Sequence, residues 1–406
     1  MLTCEIYNEE KNMRKKPILA KKSLLRGALL FYGNNFVKKK IKLIHDGTLS
    51  ELQPPYIVLA NHCSFVDVCS LIKMMYPHCG NFVASETQIV QWPKLIMHMG
   101  ILPKKQFTLD MSLLSSIRYC LQHNRPVVIY PEAKLSVVGV PNIIKPSVAK
   151  LVKMFKVPLV TVCFNGSYLY RPRWAASARF VPVTAEVKVA VDGDEVKKLS
   201  VDEIFQRICA NLNYDDYAYQ LKNGIGIDVP DLAEGLENIL YKCPSCGKEF
   251  AMTAKGNTLT CASCGKSVVQ NKFGQLQGGE FDKVVDWYRW QENGVKTQLL
   301  EGTYVFDEPF AAQKLVGGKY VALGYAQIRH DSNAISVEIE NGEKLYYPTG
   351  TFYTLSFDNN FVYLPTQEAV YRFHRLKDVG CTTKLNIAVE QQSLLSEKQK
   401  HQTASD

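Results

Sequence analysis

The feature that most constrains the first half of this chain is the apolar run 56–59, which leads without a turn residue into Ala60-Asn61-His62-Cys63-Ser64-Phe65-Val66-Asp67. Consecutive apolar residues fit a strand buried on both faces, and such strands belong to sheets covered by helices. The flanking pattern agrees. Residues 41–44 read as a strand, followed by a loop with Asp46-Gly47 and Pro54-Pro55. Residues 68–75 read as a helix stopped near Pro77, 82–85 as a strand, 92–99 as a helix ended by Gly100, 112–123 as a helix and 126–130 as a strand. Strands at 157–162 and 186–191 and a helix at 201–212 continue the alternation. The pattern predicts an α/β layer fold, a mixed sheet flanked by helices.

A buried strand ending at Asn61 delivers His62 to the strand's carboxyl end, where open α/β sheets collect their ligands. An imidazole titrates near neutrality. A carboxylate five positions later can turn back to hold one ring nitrogen while the other accepts a proton from a hydroxyl. His62 and Asp67 therefore read as a general base and its orienter, against the plainer alternative of a structural histidine. Cys63 and Ser64 are adjacent, but neighbouring side chains point apart and no second histidine is placed to activate them.

Asn61-His62 with Asp67 resembles the signature of the glycerolipid acyltransferases, which include glycerol-3-phosphate and lysophosphatidic acid acyltransferases. The resemblance covers about residues 18–220. In that family a glycine, an apolar stretch and an arginine help hold the acceptor's phosphate. Here Gly100-Ile101-Leu102-Pro103 is followed by Lys104 and Lys105, which can bind phosphate as point charges or stand as a solvated pair. Tyr130-Pro131-Glu132-Ala133-Lys134-Leu135 resembles the family's Phe-Pro-Glu-Gly-Thr-Arg block in part. Glu132 is kept, as an orienter of donors or a partner of lysine. Leu135 stands where the arginine belongs, leaving Lys134 as its substitute. Val157-Pro158 and the strand after it look like a fourth block lining the acyl pocket.

The resemblance implies transfer of a fatty acyl group from an activated donor (acyl carrier protein, coenzyme A or acyl phosphate) to a lysophospholipid-type acceptor. Asn61, Lys104, Lys105, Glu132 and Lys134 would be substrate-binding, and no catalytic cofactor beyond the donor is implied.

The net charge of +9 favours an anionic partner. Between Lys11 and Lys42 every charged residue is basic, and the apolar residues Leu24, Leu25, Ala28, Leu29, Phe31 and Tyr32 lie among them. The segment is too short to span a bilayer and Arg26 splits it, so residues 1–45 are read as a basic interfacial helical region on an anionic membrane surface. A docking helix with a solvated basic face is the alternative. The expected location is the cytoplasmic side of a membrane, peripheral or monotopic.

Twelve cysteines argue for a reducing compartment. Cys243-Pro244-Ser245-Cys246-Gly247 and Cys261-Ala262-Ser263-Cys264-Gly265 are paired knuckles that supply four thiolates to a structural zinc, with a redox pair as the alternative. Such a site is saturated and has no open position for chemistry. Zinc ribbons often contact nucleic acid or protein, so a second reading is a degenerate acyltransferase-like interaction module, although nucleic acid is the less favoured partner.

The boundaries expected are 46–225 for the acyltransferase domain, 226–240 for a linker, 241–270 for the zinc ribbon and 280–390 for a helix plus a β-rich domain. Residues 281–292 read as the helix. Short strands at 304–306, 320–328, 335–339, 346–347, 352–357, 361–364 and 370–373, with an Asn341-Gly342 hairpin, suggest a small barrel or sandwich. Residues 391–406 read as a fraying polar tail.

Overall fold

The apolar run forms β2 (Ile57–Ala60), whose four residues are all buried. In the computed structural model it is the middle of a seven-stranded sheet. The structure describes residues 16–21, 27, 43–45, 49–85, 99–105, 110–356 and 358–403. They divide into two compact units, one of residues 1–172 and 179–225 and the other of residues 173–178 and 226–406.

The first unit contains β1 (Leu43–His45), α1 (Phe65–Met74), β3 (Asn81–Ser85), β4 (Ile101–Lys104), α2 (Met111–Gln122), β5 (Val127–Ile129), α3 (Ser147–Phe155), β6 (Leu159–Asn165), α4 (Ser167–Tyr170), β7 (Val183–Val191), α5 (Glu195–Lys198), α6 (Val201–Asn211) and α7 (Asp216–Lys222). The sheet order is β1-β7-β6-β2-β5-β3-β4. Strands β6, β2, β5, β3 and β4 run parallel, β7 is antiparallel to β6, and β1 is parallel to β7. This is the mixed sheet the alternation predicts. The chain goes from β2 to β3, β4 and β5 on one side and returns to β6 and β7 on the other, so the strand order reverses at β2. Such a reversal opens a crevice at the carboxyl ends of the strands, where His62 follows Ala60. Beneath it Val58, Val66, Leu71, Val128, Val160 and Phe164 form part of one buried cluster. Each such side chain contributes about 1.5–3 kcal/mol on burial.

The expected boundary at residue 46 shifts. β1 ladders with β7, and the Ala20 N–H donates to Asn81 Oδ1 over 3.1 Å, so parts of 1–45 belong to this unit. Gly100 permits that approach: it has φ +84° and a Cβ there would stand 2.5 Å from Ala20 Cβ. Leu24, Leu25, Ala28, Leu29, Phe31 and Tyr32 lie outside the described residues, as do the basic residues around them other than Lys16 and Lys21, and residues 92–98 of the helix expected at 92–99. Among the described residues no helix is long and apolar enough to cross a membrane.

The second unit holds a four-stranded ribbon of β8 (Met252–Lys255), β9 (Thr258–Cys261), β10 (Ser267–Gln270) and β11 (Leu276–Gln277), and then α8 (Val284–Glu301). A six-stranded antiparallel sheet follows, built from β12 (Phe306–Val316), β13 (Lys319–His330), β14 (Ala334–Ile339), β15 (Lys344–Pro348), β16 (Phe361–Pro365) and β17 (Val370–Arg375) in the order β15-β14-β13-β12-β17-β16. Asn341-Gly342 makes the predicted hairpin, with Gly342 at φ +91°. The small barrel or sandwich is replaced by one curled sheet, in which the Tyr347 hydroxyl of one edge strand donates to the Leu364 carbonyl of the other over 3.2 Å. Residues 352–356 do not form the expected strand.

Two further expectations are corrected. The supposed linker 226–240 is core: Leu232, Ala233, Leu236, Ile239 and Leu240 are all at most 2% exposed. Residues 391–403 of the supposed fraying tail are the second half of α9 (Cys381–Thr403), and 404–406 lie outside the described residues. Gln392 and Ser393 are buried in this unit. Gln392 Oε1 lies 2.9 Å from His330 Nε2, and Gln392 Nε2 donates to the carbonyls of Asp331 and Ser332.

Candidate functional site

Ser64 caps α1, which places Asp67 at the third helical position, in the first turn. A carboxylate is favoured there because it can reach back to unpaired amide groups. Asp67 Oδ2 accepts the N–H of Cys63 at 2.7 Å and of Ser64 at 2.9 Å, and lies 3.2 Å from His62 Nδ1. Its other oxygen, Oδ1, accepts the hydroxyl of Ser167. Asp67 is wholly buried, and the His62 side chain keeps 22% of its surface exposed. The ring stacks on Tyr130, with centroids 4.0 Å apart and planes 19° apart. An Nδ1–H held on Asp67 leaves Nε2 as the acceptor. Chemically, the pair can hold a neutral imidazole of one tautomer beside solvent or ligand and stabilise it when it takes a proton.

Asn61 is fully buried. Its side chain donates to the Phe164 carbonyl over 2.8 Å and accepts the Phe164 N–H over 2.7 Å, which ties the end of β2 to β6 and fixes where His62 leaves the sheet. Glu132, also buried, turns inward from the end of β5. It accepts the Asn142 N–H and side-chain amide, both at 2.8 Å, the Tyr214 hydroxyl at 3.4 Å and the His62 backbone N–H. Burial outweighs those bonds and pushes its carboxyl up to about 8. The Ser136 N–H completes the tie by donating to the His62 carbonyl over 2.8 Å.

Lys134 follows Ala133, which sits at φ +60° where the resembled family has glycine; the lysine is 6% exposed. Lys104 and Lys105 stand at the end of β4, three strands from β2 on the same carboxyl edge, about 14 Å away at ordinary strand spacing. Burial pulls the Lys104 ammonium down, opposed by Asp110. The fold thus brings Asn61, His62, Asp67, Glu132 and Lys134 together and sets the Lys104 pair apart.

Residues the sequence reading passes over complete this site. Asp216 accepts the N–H groups of Gly166 and Tyr168, each at 2.8 Å, on either side of Ser167. No local motif marks it; the only available signal is a Gly-Ser step directly after a buried strand. The adjacent Cys63 is fully buried, and burial raises its thiol pKa well above the ordinary range.

Residues 36–165 match the family model Acyltransferase. This region is an acyltransferase domain. No curated protein matches the chain. Among solved structures it is similar to the 1-acyl-sn-glycerophosphate (LPA) acyltransferase, PlsC, from Thermotoga maritima, at 18% identity and a TM-score of 0.37, over 45% of this chain and 76% of that one. The acyltransferase match contains His62, Asp67, Glu132 and Lys134 and ends at Asn165, two residues short of Ser167.

In the second unit, Cys243, Cys246, Cys261 and Cys264 bring their sulfurs within 4.8 Å of one another. Cys243 to Cys264 and Cys246 to Cys261 are both 3.8 Å apart. Tetrahedral Zn–S bonds of about 2.3 Å require S···S edges of about 3.8 Å, so the four thiols fit one such ion. Each knuckle is closed by a glycine with positive φ, Gly247 and Gly265, whose N–H donates over 2.9 Å to the carbonyl of the first cysteine of its pair.

Proposed function

We propose that this protein moves a fatty acyl group from an activated donor to the hydroxyl of a lysophospholipid-type acceptor, with His62 as general base and Asp67 as its orienter. The contact between His62 Nδ1 and Asp67 Oδ2 carries this reading. Nε2 takes the hydroxyl proton as the acceptor oxygen attacks the donor's carbonyl carbon. The carbon–sulfur bond of a thioester, or the carbon–oxygen bond of an acyl phosphate, then breaks, and His62 returns the proton to the leaving group. No covalent enzyme intermediate is required. Burial disfavours a Cys63 thiolate, and the Ser64 hydroxyl bonds Ser167, which supports direct transfer.

Lys134, with Lys104 and Lys105, supplies positive charge for the acceptor's phosphate, taking the place of the arginine that Leu135 replaces. The four cysteines hold a structural zinc that fixes the ribbon and takes no part in the reaction. The basic N-terminal stretch holds the enzyme against an anionic leaflet, on the cytoplasmic side of a membrane.

An acyl-transfer assay tests this, with thioester and acyl-phosphate donors, lysophospholipid acceptors, wild type and His62→Ala. Turnover in wild type that falls about 10²–10⁴-fold in the variant is expected. Equal, background-level signal in both would leave the competing reading, a degenerate interaction module, in possession.

A further inference from the structure

The hydrogen bonds behind Asp67 form a directed chain that ends on the side of the carboxylate away from His62. The Ser167 hydroxyl donates to Asp67 Oδ1, so its own oxygen is left to accept the Ser64 hydroxyl, 2.9 Å away. Ser64 and Ser167 are at most 5% exposed, so water does not compete for these bonds. Ser167 is held by backbone on both sides. Gly166, at φ +85°, could not carry a Cβ, which would stand 2.5 Å from the Pro182 carbonyl oxygen. The Gly166 and Tyr168 amides converge on the two oxygens of Asp216. Asp216 is itself anchored, since its N–H donates to the Gly139 carbonyl over 2.9 Å. A buried acid that captures the amides flanking a single serine fixes where that hydroxyl points.

We propose that Ser167, held by Asp216, is a positioning residue for the acyl transfer, which fixes the second oxygen of Asp67 and limits how strongly that carboxylate holds the His62 ring. The inference rests on the general-base reading of His62. Two backbone amides keep Oδ2 in place whether or not Ser167 is present, so removing the hydroxyl does not release Asp67. It strips one donor from Oδ1 instead. Less of the carboxylate's charge is then neutralised behind it, and more acts on the imidazolium in front. The other titratable groups facing the pair are Tyr130, Cys63, Cys69, Asp216 and Glu132, the last through the His62 N–H.

The test compares wild type, Ser167→Ala, Ser167→Thr and Asp216→Asn by two readouts. One is the NMR titration of the His62 ring, which needs no turnover. The other is the acid limb of the kcat/KM profile. In Ser167→Ala both move up by about 0.5–1 pH unit, since a nearby uncompensated negative charge favours the charged imidazole. Ser167→Thr keeps the hydroxyl and restores the wild-type position, while Asp216→Asn, which loosens Ser167 but also removes a negative charge facing the pair, shifts it upward by less than Ser167→Ala. A serine that only packs would lower stability and leave the titration of His62 where it was, and that result overturns the proposal. Should none of the proteins transfer acyl groups, the general-base reading fails, but the NMR titration still decides whether Ser167 acts on His62.

Discussion

Replacing Glu132 by Gln tests how the loop that carries His62 is held. The carboxyl is wholly buried and its pKa is raised from 4.5 to about 8. Between those values the folded protein keeps a proton that the unfolded chain has released. Glu132 therefore stabilises the fold fully below pH 4.5, and this contribution is lost as pH rises through about 8. The shift corresponds to about 5 kcal/mol at most, with a slope of about 1.4 kcal/mol per pH unit for one proton. Asp216, raised by burial to about 7, adds a second proton below that pH. In Glu132→Gln the slope should roughly halve between pH 4.5 and 7 and vanish between 7 and 8. The introduced glutamine also turns an amide N–H₂ toward donors that Glu132 accepted, from Asn142, Tyr214 and His62, which costs about 1–3 kcal/mol. The stability curves should thus cross: wild type is the more stable at pH 5, and the variant equals or exceeds it at pH 8.5. Hydrogen exchange of the β2 and β6 amides in urea, at a series of pH values, reads the first unit separately from the second. Parallel curves for the two proteins would refute the reasoning.

Ala133→Gly should stabilise the first unit by up to about 1 kcal/mol, because relief of a left-handed alanine at φ +60° slightly exceeds the added freedom of the unfolded chain; a loss larger than that in the same exchange experiment would contradict it. Zinc analysis should give one ion per chain, and Cys261→Ala or a strong chelator should abolish protection of β8 and β9; a metal-free protein with unaltered protection there would exclude the structural role. Binding to vesicles rich in anionic lipid should weaken as salt rises from 0.05 to about 0.5 M, where the screening length falls below about 5 Å, and salt-insensitive binding would count against the basic N-terminal stretch.

The parts of the fold readable in the sequence are those whose reason is local. The run 56–60 is apolar on every residue because β2 is covered on both faces, and the Asn61 to Asp67 spacing survives because a helix's first turn brings the acid back to the strand end. The two knuckles are equally local. What escaped depends on partners distant in sequence. Lys384, Asn386, Glu390 and Gln392 give α9 a polar composition that suggests solvent, yet each bonds a partner in the core, Glu249, Leu355, Thr354 and His330 respectively. Gly235 marks a supposed linker, but at φ +100° it lets the chain pass against the Trp174 carbonyl, where any Cβ would collide. Asn61 is expected among the substrate-binding residues through the resemblance alone; the bonds its side chain makes, to Phe164, join residues 103 positions apart and leave no local trace. Ser167 and Asp216 escaped for the same reason, since nothing near them in sequence announces a carboxylate to hold.

Chemical rescue tests the central claim most directly. Wild type and His62→Ala are assayed for acyl transfer above pH 7 with increasing imidazole. If His62 Nε2 is the proton acceptor, the variant loses about 10²–10⁴ of its rate and free imidazole restores activity in proportion to its concentration, with no gain in wild type. Turnover by His62→Ala that equals wild type without imidazole would contradict the account.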